Sequence, residues 1–148
     1  MSLASSLAVN RLRVEANDAT RLDHQLVQVL TRIPGLALAI LFGSAARGQQ
    51  RPDSDLDIAV QADHPLSASE KIDIVHALAE STGRPIDLID LKVAAGPMLG
   101  QVLRHGRRLL GSDAVYGRLI SRHLFEQADF QPYRNRILAH RRAAWIGT

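Results

Sequence analysis

The stretch Leu41–Val60, LFGSAARGQQRPDSDLDIAV, decides how this chain is read. It begins inside a continuous apolar run, Leu36 to Phe42, too short for a stable helix and suited to a buried strand. Gly43 and Ser44 end the run, and Ser44 is expected to cap a short helical turn, SAARG. QQRPDS has the composition of a turn. DLDIAV then alternates as a second strand, with Asp55 and Asp57 one residue apart. On a strand, residues i and i+2 share a face, so the two carboxylates project side by side. Like charges this close oppose each other's ionisation unless a cation lies between them.

Working outward, PIDLIDL (Pro85 to Leu91) reads as a third strand. If it pairs beside the second, Asp87 joins the same cluster, whereas Asp90, three residues on, faces the other side. An all-oxygen donor set of this kind suits Mg²⁺ or Mn²⁺. On the other flank, Gly43 lets a ligand approach the backbone closely. Ser44 offers a hydroxyl and backbone N–H groups to phosphate oxygens. Arg47 adds a forked guanidinium within reach of the same phosphates. A phosphate cradle beside paired carboxylates is the equipment for phosphoryl or nucleotidyl transfer, in which the protein chiefly positions groups and neutralises charge. Asp53 and Asp63 read as turn residues, with contact to a metal-bound water a second reading for Asp53, and Arg51 as a solvated turn residue.

The rest of the chain frames this centre. It has 148 residues, 46% of them hydrophobic, enough for one domain with its own core. There is no cysteine, which excludes a thiol nucleophile, a cysteine zinc site and disulfides. No apolar run approaches the length of a membrane span, and the N-terminal MSLASSLAVNRLRVEAN has no basic region ahead of its weakly apolar stretch. It reads as a tail or a first packing segment, and the cytoplasm is the expected location. Helical spacing of Leu22, Leu26, Val29 and Leu30 predicts a helix from Asp18 to Arg32, stopped by Pro34–Gly35. A helix starting at Ser67 or Ser69 carries a stripe of Ile72, Val75, Leu78 and Ala79 and closes at Gly83. Further helices are expected at about Val93–His105, Asp113–Gln127 and Gln131–Trp145, with RRLLG a short edge strand. The order predicts a small α/β (α+β) domain, a mixed sheet flanked by helices. A single domain covers 1–148, with a core at about 18–111 and a helical C-terminal extension at about 112–148.

Charge is uneven. From Arg104 onward there are nine arginines against three acids, whereas residues 1–103 carry nine basic and twelve acidic groups. The basic end reads equally as solvated helix faces or as a contact for something anionic. Aromatic residues are only 4% of the chain, too few for stacking platforms, which argues against direct nucleic-acid binding. His24, His64, His76, His105 and His123 show no ligand spacing and read as surface or boundary residues.

Gly43-Ser44, ten residues, Asp55-Leu56-Asp57 and then Asp87 resemble the signature of the DNA polymerase β-like nucleotidyltransferase superfamily, and the short chain resembles its minimal nucleotidyltransferase branch. The match is close over Leu36 to Leu91, and the helices to about Gly111 fit the same fold. The extension DFQPYRNRILAHRRAAWIG is similar, more loosely, to the C-terminal helix of the MntA-type antitoxins. The resemblance implies that Gly43 and Ser44 hold the nucleotide's phosphates, that Asp55 and Asp57 bind two Mg²⁺ ions, and that Asp87 completes the metal site and helps activate the acceptor hydroxyl. It also implies a partner and a reaction. MntA-type antitoxins transfer AMP from ATP to a tyrosine of a HEPN-domain ribonuclease toxin.

Three other readings stand beside this one. A small-molecule acceptor, as in the aminoglycoside nucleotidyltransferases, would ordinarily bring a larger acceptor-binding domain. A non-catalytic antitoxin would block its toxin through the basic C-terminal helices. Arg134, Asn135 and His140 resemble the Arg-x4–6-His motif of the HEPN ribonucleases themselves, but those are all-helical, and Ile137, Leu138, Ala144 and Trp145 fit an ordinary apolar helix stripe. A homodimer and a toxin interface are equally open for the last two helices. Nothing in the sequence reads as a base-recognition motif.

Overall fold

A computed structural model describes residues 3–48, 51 and 54–128, the side chains of 3–7 and 10–17 excepted. The elements run α1 (Leu3–Leu30), β1 (Leu36–Phe42), α2 (Gly43–Ala46), β2 (Leu56–Ala62), α3 (Ala68–Thr82), β3 (Ile86–Asp90), α4 (Pro97–His105) and β4 (Arg107–Leu110). A further helix, α5, covers 113–128. The expected helix of Gln131–Trp145, with Arg134, Asn135 and His140, lies outside the described residues, as does Asp53.

The four strands form one mixed sheet in the order β3-β2-β1-β4. β1 pairs antiparallel with β2 and β4, while β2 and β3 run parallel. A parallel pair needs a crossover, which α3 supplies. Central placement explains the unbroken apolar run of β1, because both of its faces are covered. Ala39 and Leu41 join Leu56, Ile58 and Val60 beneath α1 and α3, against Leu22, Leu26, Leu30, Ile74 and Leu78. Leu38, Ile40 and Phe42 join Ala59 on the opposite face, against Leu99 and Val102 of α4 and Leu119 of α5. RRLLG is the edge strand β4, and Arg107 ties it to α1 through a 2.8 Å ion pair with Asp23.

Local chemistry sets the boundaries. Ser67 caps α3 in a reciprocal capping box with Glu70, and Gly83 closes it in the left-handed conformation, φ 68°. The buried face of that helix is Ile74 and Leu78, whereas Ile72, expected in the stripe, is 56% exposed. The start of α4 also differs from the expectation. Pro97 occupies the first turn behind Gly96, so the helix begins there and not at Val93. Ser44 is not a cap. Phe42 stands at that position without a side-chain bond, and Ser44 lies inside α2. The N-terminal segment, read as a tail or a first packing segment, is helical from Leu3, with no proline or glycine to interrupt it. Among the described residues, no helix is long and apolar enough to cross a membrane.

Candidate active site

Three chain segments meet at one end of the sheet: the end of β1, and the starts of β2 and β3. Antiparallel pairing sets Phe42 opposite Asp57, and parallel pairing sets Asp57 opposite Asp87. Both aspartates sit on the face covered by α4, in line with Ala59 and Ile89. α4 stops short of closing that end, leaving a cleft of about 420 Å³. Its walls are Phe42, Gly43, Ser44 and Arg47 on one side, Asp57, Asp87 and Ile89 on the sheet, and Met98, Gln101 and His105 from α4.

Gly43 has a steric reason to be glycine. Its φ is 72°, and a Cβ there would collide with Asp57 Oδ2 and come within 3.0 Å of Asp57 Cγ. The backbone at the end of β1 and the Asp57 carboxylate therefore occupy the same small space. Asp57 is the electrostatic focus. Its pKa is raised, first by burial, then by the charges of Asp87 and Asp55, then by a hydrogen bond shared with Asp87.

The cluster is less closed than the sequence predicts. Asp55 precedes β2, is exposed, and acts on Asp57 through its charge, but it does not line the cleft. Among the described residues, no three His, Cys, Asp or Glu side chains stand together as a ready group of metal ligands. The donor set nevertheless fits a hard divalent cation. Asp57 and Asp87 offer hard oxygen donors and carry surplus negative charge at the cleft, and the glycine at position 43 leaves the Asp57 carboxylate its place.

Arg47 and Ser44 line the cleft, whereas Arg51 is exposed and outside it. His105, read from sequence as a surface histidine, lines it as well, with Gln101 and Met98. The 3–4 residue spacing of Met98, Gln101 and His105 marks one helix face, but nothing in the sequence says that this face looks onto β2 and β3. Asp90 has a different role. It is 4% exposed on the opposite face, where Oδ2 accepts from Leu66 N at 2.8 Å and Oδ1 from Lys92 N at 2.9 Å.

A mixed sheet with acidic groups at one open end, facing a glycine–serine turn, defines a nucleotidyl-transfer enzyme. Residues 24–114 match the family Polymerase beta, Nucleotidyltransferase, and the chain belongs to it. It is 31% identical over 123 residues to the protein adenylyltransferase MntA of Shewanella oneidensis, a span of 80% of this chain and 88% of that protein. Among solved structures, it resembles a toxin–antitoxin with AMP-PNP, with TM-score 0.70 and 28% identity over 80% of this chain and 96% of the other. It also resembles a structure of tri-AMPylated Shewanella oneidensis HEPN toxin in complex with MNT antitoxin, with TM-score 0.68 and 25% identity over 82% of this chain and 97% of the other.

Proposed function

We propose that this chain is an antitoxin that transfers AMP from ATP to a tyrosine of a HEPN-domain ribonuclease toxin, in the cytoplasm. The observation that carries the reading is the Asp57–Asp87 cleft beside Gly43, in a chain that matches an MntA adenylyltransferase over 80% of its length.

Asp57 and Asp87, with Asp55 at the rim, are the residues that would hold Mg²⁺, two ions in the full site. When bound, the metal neutralises phosphate charge and lowers the pKa of the acceptor hydroxyl. Ser44 and Arg47 bind and orient the triphosphate, and Gly43 leaves room for the Asp57 carboxylate beside them. Asp87 orients the acceptor hydroxyl and takes part in its activation. The hydroxyl oxygen forms a bond to the α-phosphorus, the bond to the bridging oxygen breaks, and pyrophosphate leaves.

The test is intact mass spectrometry of the cognate HEPN protein after incubation with this chain, Mg²⁺ and ATP. Mass steps of AMP, abolished in Asp57→Asn, are expected. An unmodified toxin that still binds tightly would instead favour a steric antitoxin. Neither binding nor modification would redirect the search to small-molecule acceptors.

A further inference from the structure

We infer that Arg84 is a positioning residue for the metal site, a guanidinium clamp that holds the chain ahead of Asp55 against the start of the strand bearing Asp87. The inference rests on the metal-site reading above and extends it to a residue outside the cleft.

Arg84 stands two residues before β3 and three before Asp87. Its Nε donates to Ser54 O at 3.0 Å. Its Nη2 lies 2.9 Å from Ser54 O, 2.7 Å from Ser54 Oγ and 3.0 Å from Arg51 O. One planar fork thus engages two backbone carbonyls and a hydroxyl of the segment that delivers Asp55. The segment is folded to receive it. Ser54 N and Ser54 Oγ both donate to Arg51 O, at 3.1 and 2.9 Å. Immediately beyond, Leu56 N donates to Pro85 O at 2.9 Å, the first rung between β2 and β3. Arg84 and this rung bracket Asp55 on both sides.

The need for such a clamp follows from charge. Asp55, Asp57 and Asp87 repel one another in the bare protein, and Asp55 lies before the strand, where the sheet ladder does not hold it. Without a tie, the Asp55 segment would relax away from the other two carboxylates. Nε and Nη2 of Arg84 donate to the backbone and to Ser54, which fixes the position of the segment that leads into Asp55. A lysine could not reproduce this, because a single ammonium lacks the planar fork.

The experiment measures Mn²⁺ binding by calorimetry in the presence of a non-hydrolysable ATP analogue, for wild type, Arg84→Ala, Arg84→Lys and Ser54→Ala. Melting temperature and circular dichroism are measured in parallel. Arg84→Ala is expected to stay folded and to weaken Mn²⁺ binding by about tenfold or more, with kcat of transfer falling further than the KM for ATP changes. Arg84→Lys is expected to retain most of that defect. Ser54→Ala, which removes the hydroxyl that accepts from Arg84 and donates to Arg51 O and keeps the backbone bonds to Ser54 O, should shift Mn²⁺ affinity in the same direction by a smaller factor. It decides the matter if Arg84→Ala does not fold. Unchanged Mn²⁺ affinity in folded Arg84→Ala, or full recovery by Arg84→Lys, would overturn the clamp, the latter by showing that charge alone suffices. If wild type itself binds no Mn²⁺, the metal-site reading fails first, and the clamp with it.

Discussion

The two ends of β3 each carry an aspartate, and the two are opposites. Asp90 is buried, yet both of its oxygens receive backbone N–H groups, from Leu66 and Lys92. Asp87 is exposed, and its neighbours are carboxylates. Donors surround the first and acceptors face the second. A saturated buried carboxylate stabilises the fold, because its charge is met by fixed dipoles. A carboxylate set against another destabilises the bare fold and is explained only by something that arrives later. Sequence proximity hides this difference; Asp87 and Asp90 look alike in PIDLIDL.

Substitutions in the acidic cluster that Asp87 joins and at Asp90 should therefore move activity and stability in opposite senses. The largest expected effect is that of Asp57→Asn, which removes the central carboxylate. Transfer should fall by about a hundredfold or more, while the melting temperature of the metal-free protein rises or holds. Retained transfer would end the metal-site reading. Next comes Gly43→Ala, where the new methyl meets Asp57 and the φ of 72° is strained. Strain of this kind costs about 1–3 kcal/mol, and transfer should drop by about tenfold or more, read in a steady-state assay. Asp90→Asn sharpens the contrast from the other side. Denaturant unfolding should show a loss of about 1–3 kcal/mol, with transfer per folded molecule preserved.

The smallest effect belongs to a third arrangement, the exposed His64. It lies 2.5 Å from Asp63 and 2.8 Å from Glu70, which together raise its pKa above the ordinary 6.5. Glu70 is correspondingly lowered, first by His64 and then by the Ser67 backbone. A raised histidine stabilises the fold fully below its unfolded value and ceases to do so as pH rises through its folded value. A lowered glutamate stabilises above its unfolded value and loses that contribution as pH falls through its folded value. The pair thus acts between the two. His64→Gln should narrow the difference in melting temperature between pH 5.5 and pH 8.5 slightly and leave transfer untouched, as a pH series of thermal melts would show.

Much of this was legible in the chain before it was folded. The apolar run of β1, a serine start and the Gly83 end of α3, the edge strand and the Gly-Ser and Asp-x-Asp spacing are local signals, and the family resemblance follows from the last two. The errors were local too. Ile72 is exposed because the face of α3 that meets the sheet is fixed by α1 and β2, partners that periodicity cannot see. Ser44 looked like a cap because capping depends on a φ/ψ change that falls, in the fold, at Phe42. His105 looked inert because the cleft that it lines is made by a helix crossing strands distant in sequence.

By itself, then, the sequence determined which residues are acidic, which turn is glycine-bearing and which segments alternate, since these are properties of neighbours along the chain. Only the tertiary structure decided that Asp57 faces Asp87 across parallel strands, that Asp55 stands at the rim, that Arg84 reaches back to Ser54, and that Asp90 is satisfied from the other side. Those are matters of register and of which face each strand turns to the helices, and register is set by packing between segments far apart in the chain.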